Sequence, residues 1–130
     1  MKNAAIKEHH LYNKTFARGT RFSGRCVSVF VLKDYAAKKR MLAHPMKIYT
    51  NRVGLSATKK IGGAVERNRA KRIIRAGLSD LQKTVRLKTG YLIVISAHPG
   101  IAGKKSDDIR RELHYGFGKL GMILPTESEK

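Results

Sequence analysis

Residues 52–75 read RVGLSATKKIGGAVERNRAKRIIR. A strand-like run from Val53 to Thr58 enters the turn Lys59-Lys60-Ile61-Gly62-Gly63, which opens into a helix. That helix carries Arg67, Asn68 and Arg69, then Lys71 and Arg72, then Arg75. At about 100° per residue, Ala70, Ile73, Ile74, Gly77, Leu78, Leu81 and Val85 share an arc of roughly 140°. Asn68, Arg69, Lys71, Arg72, Arg75, Lys83 and Arg86 share a complementary arc of roughly 160°. The two sets do not interleave, so one side can be buried while the other shows a nearly unbroken basic surface. Arg67 projects toward the apolar side, but from the first turn, where it clears the sheet edge. Between residues 64 and 86, Glu66 and Asp80 are the only acids against seven Lys and Arg. Pairing within the helix is too sparse to absorb that charge, which points to phosphate rather than mere solvation.

The composition says the same. The chain has 130 residues, 28 Lys and Arg against 9 Asp and Glu, and a formal charge of +19. Self-repulsion on that scale favours a polyanionic partner, nucleic acid before an anionic membrane. The length suits one domain, 1–130, with a core over about 9–121 and a flexible tail over 122–130. No apolar run approaches the roughly 18 residues of a membrane span, and the first residues lack the apolar region of a secretory signal. Cys26 is the sole cysteine, so no internal disulfide can form and a reduced, cytoplasmic setting is expected. Flanked by apolar residues, Cys26 reads as a small core residue.

Outward from the basic helix, the pattern alternates. His10 to Arg18 suits a short helix stopped by Gly19. Cys26 to Leu32 reads as a strand with Val27, Val29 and Val31 on one face, and Arg21 to Ser23 as a short extra one. Lys33 to Pro45 reads as an exposed loop. The helix from Ala64 runs to about Arg86. Tyr91 to Ile95 is apolar throughout, as in a central strand covered on both faces. His98-Pro99-Gly100 breaks the chain. Ser106 then reads as an N-cap, with Asp107 and Asp108 in the first turn of a helix ending near Gly121. The expected architecture is an α/β sandwich, with about three helices packed on a small sheet.

Arg holds phosphate bidentately and stacks on bases, while Asn68 offers both a donor and an acceptor to a 2′-hydroxyl or base edge. The glycines before the helix can expose amides to phosphate or simply turn the chain, and they match neither nucleotide-binding glycine pattern. Tyr12 and Phe16 lie four apart on one helical face, and Phe30 on the following strand. These rings fit either a stacking platform for unpaired bases or a small core under the first helix. Catalytic patterns are thin. The five histidines lie at scattered spacings, Asp107-Asp108 is explained by helix capping, and no triad is recognisable.

The 52–75 segment, with Tyr12-x-x-x-Phe16, the Gly19 stop and the YLIVIS strand in order, resembles the bacterial ribonuclease P protein subunit, the RNR-motif family. The resemblance runs from about Leu11 to Leu120. It implies an αβββαβα order, a mostly antiparallel four-stranded sheet, and a left-handed βαβ crossover around the basic helix. It implies a non-catalytic protein that binds a catalytic RNA, which removes the 5′ leader of precursor tRNA using Mg²⁺ held mainly by RNA. On that resemblance Arg67, Asn68, Arg69, Lys71, Arg72 and Arg75 dock the RNA subunit. Tyr12, Phe16, Phe30, Ser56, Lys59 and Lys60 line a cleft for the leader. Gly63 stands where the family commonly has Asn. The segment Lys33 to Thr50 is long for the family, and its Lys38-Lys39-Arg40 run reads as an added RNA contact or a solvated loop. Two rival functions are a generic basic RNA-binding protein of the ribosome-associated kind and a stand-alone metal-dependent nuclease.

Overall fold

The computed structural model describes residues 2–6, 9–34 and 49–124. In chain order these form β1 (Lys2–Ala5), α1 (His9–Arg18), β2 (Thr20–Ser23), β3 (Val27–Lys33), β4 (Tyr49–Ser56), α2 (Ala64–Thr84), β5 (Arg86–Leu87), β6 (Tyr91–Ala97), α3 (Ser106–Lys119) and β7 (Ile123–Leu124). Short 3-10 turns at Lys59–Ile61 and Pro99–Ile101 precede α2 and α3. The basic run Lys38-Lys39-Arg40 and the residues after Leu124 lie outside the described residues.

The main sheet runs β1-β4-β6-β3-β2. β4 is parallel to β1 and β6, and β3 is antiparallel to β6 and β2. The expected three helices and αβββαβα order are present. In detail, the sheet divides evenly between parallel and antiparallel ladders, and β1 adds a fifth strand. The sequence KNAA has no strand pattern of its own, so only the edge of β4 can have recruited it. A separate two-stranded ribbon pairs β5 with β7, so Arg86 leaves the helix at Thr84 and enters a strand.

The two faces of the sheet differ. Val27, Val29 and Val31 of β3 join Ile93 and Ile95 of β6 beneath Ala70, Ile73, Ile74, Leu78 and Leu81 of α2 and Ile109, Leu113 and Phe117 of α3. The apolar arc of α2 is therefore buried as its periodicity predicts. Gly77 permits the crossing of the two helices, since a Cβ there would lie 3.0 Å from the Ser106 carbonyl. The opposite face carries a smaller cluster of Ile6, Leu92 and Val94, covered by Leu11 and Tyr12 of α1 and flanked by Phe30 and Leu32. β6 is thus covered on both faces, which explains its unbroken apolar sequence.

Arg52, the first residue of the basic signature, belongs to this scaffold and not to the charged surface. It is buried, and its guanidinium donates to both carboxylate oxygens of Asp34 at 2.7 and 2.8 Å. α3 begins one residue earlier than a Ser106 cap would require: Lys105 occupies the cap position, and its N–H donates to the Asp108 carboxylate at 2.9 Å. An acid three residues on reaches that amide better than Ser106, which sits inside the first turn.

Glu112 of α3 fastens the helix layer to the turn between β2 and β3. Its carboxylate accepts from the backbone N–H groups of Arg25, Cys26 and Val27 at 3.0, 2.9 and 2.8 Å. Gly24 leaves room for it, because a Cβ there would lie 2.7 Å from the Glu112 carboxyl carbon. Cys26 is buried as expected, at 5% exposure. Burial first, and the Glu112 carboxylate second, push its thiol pKa above the ordinary value. Glu112→Ala should lower unfolding free energy in urea by about 3 kcal/mol, since three amides lose a charged acceptor. It should also speed the reaction of Cys26 with a thiol reagent. An unchanged urea midpoint would show that the turn holds without this anchor.

Candidate nucleic-acid interface

Strand register places the side chains of the α1 face in transverse rows, because paired residues point to the same side. Phe30, Val94 and Gly54 form one row across β3, β6 and β4. Ser28, Ser96 and Ser56 form the next, extended by Ser23 on β2. α1 stands over the first row. Phe16 meets Phe30 edge-on with ring centroids 4.8 Å apart. Tyr12 lies directly on Gly54, where a Cβ would come within 2.5 Å of its ring. The result is a cleft with an aromatic wall and a hydroxyl-bearing floor.

The sequence left two readings of the rings open, and the structure combines them. Tyr12 and Phe30 pack against the small cluster, while Phe16 remains 38% exposed. Lys59 and Lys60 are exposed just beyond Ser56, at the mouth of the cleft. Sequence reasoning missed Ser28, Ser96 and His98. Ser28 Oγ, itself buried, lies 3.2 Å from Ser23 Oγ and 2.5 Å from His98 Nε2, so Ser23, Ser28 and His98 form one polar chain, with Ser96 beside Ser28 in register. The available signal was a lone serine at alternate positions in two otherwise apolar strands.

The six residues of the basic helix divide into two sets. Asn68, Arg72 and Arg75 are exposed, whereas Arg67, Arg69 and Lys71 are half-buried. Arg67 Nε donates back to the Gly63 carbonyl at 3.4 Å, and Arg69 Nη2 donates to the Lys104 carbonyl at 3.0 Å. Arg67 therefore turns back along its own helix and stays half-buried. Among the described residues none of these cations pairs with a carboxylate, while Asp80 is engaged by Lys83 at 3.6 Å. Gly62, with φ of 140°, and Gly63 at the N-cap position make the sharp entry into α2.

Lys71 and Arg75 also line a groove of about 530 Å³ whose other wall includes Tyr12 and Gly54. It opens where β1 stops pairing with β4, at Val53. The basic helix and the aromatic cleft are thus joined around the sheet edge. Among the described residues no group of three or more His, Cys, Asp or Glu side chains is placed to hold a metal ion. Nor is any helix among them long and apolar enough to cross a membrane.

Comparison with known proteins bears on this arrangement. Residues 1–121 match the profile of the family described as Ribonuclease P. This chain belongs to the ribonuclease P protein family. The ribonuclease P protein component of Clostridium acetobutylicum is 32% identical over 127 residues, covering 98% of this chain and 97% of that one. That of a Dehalococcoides mccartyi strain is 42% identical over 90 residues, 69% of this chain and 71% of its own. Among solved structures, the Staphylococcus aureus RNase P protein superposes with a TM-score of 0.70 at 21% identity, over 95% of this chain and 100% of its own. The Thermotoga maritima RNase P protein does so with 0.66 at 16% identity, over 87% and 94%. The fold is that of these family members.

An RNA bound through the outer face of α2 should show steep salt sensitivity. Arg72→Ala and Arg75→Ala should each reduce the slope of log affinity against log salt by about 0.7, with the melting temperature unchanged. A slope unaffected by both substitutions would remove this face from the interface.

Proposed function

We propose that this chain is the protein subunit of ribonuclease P. It binds the catalytic RNA through α2 and the 5′ leader of precursor tRNA through the cleft beside α1. The observation that carries the reading is the presence of two chemically different surfaces on one rigid sheet. One is a run of cations with no carboxylate partner among the described residues, Arg72 and Arg75 foremost; the other is an aromatic cleft floored by hydroxyls.

Each surface has a distinct physical task. The cations of α2 neutralise RNA phosphates and release condensed counterions, which favours assembly of two polyanions around one positive protein. The cleft accepts unpaired nucleotides, whose bases stack on Phe16 and Tyr12. Ser56, Ser96 and His98, all partly exposed, offer hydrogen-bonding groups to sugar or base edges, while the buried Ser28 holds His98 through its hydroxyl. Lys59 and Lys60 meet the backbone at the mouth. Because only the precursor has a leader, such a cleft favours substrate over mature product. Leader removal is hydrolysis of one phosphodiester at the tRNA 5′ end. On this reading the RNA holds most of the Mg²⁺ and supplies the chemistry, and the protein acts through binding. The expected setting is the cytoplasm, with precursor tRNA and the RNA subunit as partners.

The decisive assay is cleavage of a precursor tRNA by a bacterial ribonuclease P RNA at low Mg²⁺, with and without this protein. Strong stimulation at the mature 5′ end, with no cleavage by protein alone, is the expected result. Tight RNA binding without stimulation would leave only a basic RNA-binding protein. Phe16→Ala should weaken binding of leader-bearing tRNA by about tenfold, from the loss of one base stack, and leave mature tRNA unaffected. Equal losses on both would return Phe16 to a purely packing role.

A further inference from the structure

The back of strand β2 carries a second surface with the same chemistry as the cleft. β2 is the outer strand of the sheet, with Arg21 and Ser23 on the cleft face. Phe22 points the other way, toward α3. There it meets Tyr115 edge-on, with ring centroids 5.7 Å apart and planes at 69°. The pair requires Gly116, since a Cβ at that position would lie 2.5 Å from Phe22 Cδ2. Tyr115 nevertheless remains 60% exposed, far more than a ring placed for packing alone. Lys119 Nζ sits 5.3 Å from its ring centroid.

Beside this pair runs a shallow groove of about 590 Å³, lined by Phe22, Ser23, Arg25, Arg111 and Tyr115 among others. Its acids are already engaged. Glu112 accepts the three backbone amides described above, and Asp108 accepts the Lys105 amide. Asp107 takes Arg110 at 2.9 Å and Arg111 at 2.8 Å, and hydrogen bonding from Arg110 holds its pKa below the ordinary carboxylate value. Arg25 and Lys119 have no carboxylate partner among the described residues. An exposed aromatic ring with Lys119 over it and Arg25 in the same groove suits a stacked base with its flanking phosphates. Scattered exposed rings need no explanation, but this one is held by a partner ring, seated by a glycine and flanked by charge.

We propose that the Phe22–Tyr115 surface is a second contact for single-stranded RNA, taking nucleotides that leave the cleft across the edge of β2. The proposal rests on the leader-cleft reading, of which it is the continuation. A long leader would then touch both sides of one strand, and a short one only the cleft.

Single-stranded uridine oligomers of about 5 and about 15 nucleotides, within the span of known single-strand sites, separate the two contacts. Tyr115→Ala should weaken the longer oligomer by about tenfold and leave the shorter one unchanged, whereas Tyr115→Phe should keep both. Arg25→Ala should lower the salt slope for the longer oligomer by about 0.7 and for the shorter by nothing. A longer oligomer indifferent to Tyr115→Ala, or equal losses on both lengths, overturns the proposal. Phe16→Ala should weaken both oligomers. Failure of that result alone would instead overturn the leader cleft, and with it the path from cleft to β2. Tyr115 is exposed, so Tyr115→Ala should retain the wild-type melting temperature.

Discussion

Everything in this protein depends on α2 keeping its two sides apart. Ala70, Ile73, Ile74, Gly77, Leu78 and Leu81 are buried against the sheet and α3, while Asn68, Arg72 and Arg75 face outward. Charge repulsion along the outer side opposes helix formation, and Gly77 weakens it further. Burial of the inner side, at about 25 cal/mol per Å² of apolar surface, is what offsets both. A chain of formal charge +19 can therefore hold Arg72 and Arg75 in fixed positions with no carboxylate partner among the described residues.

The second organising fact is that α1 covers only part of the opposite face. α1 has ten residues, enough to seat on Leu92 and Val94 but not to span the sheet. Beyond it the strands change character, from Phe30, Val94 and Gly54 to Ser28, Ser96 and Ser56. The switch from apolar to hydroxyl side chains marks where the helix stops and the cleft begins. Tyr12 is positioned by the absence of a side chain at Gly54, and Phe16 by the edge of Phe30. The cleft is thus built on rigid strands, with the adaptable groups, Lys59 and Lys60, at its mouth.

Carboxylates are scarce here, and three of the described ones serve structure. Asp34 neutralises buried Arg52, Glu112 ties α3 to the β2–β3 turn, and Asp108 caps α3. Spending acids on internal amides and one buried guanidinium leaves the outer surface strongly positive. The same economy exposes Arg25 and Lys119 around Tyr115.

Local pattern was enough for the elements whose periodicity is strong. The apolar and basic arcs of α2, the valine face of β3, the covered strand β6 and the Gly19 stop all follow from residue spacing. Gly19 is needed because a Cβ there would meet the Thr15 and Val31 carbonyl oxygens at 2.5 and 2.9 Å. Positive charge and the RNR helix likewise indicated an RNA partner from sequence. Tertiary structure alone decided the rest. It recruited β1 to the edge of β4, assigned Arg52 to the interior, and handed the α3 cap to Asp108. It also aligned Ser23, Ser28, Ser96 and Ser56, which are distant in sequence, into one row. Periodicity reports which side of an element is apolar, but register between strands is set by pairing partners far along the chain. A hydroxyl row, a buried ion pair and a ring seated on a glycine exist only once those partners have met.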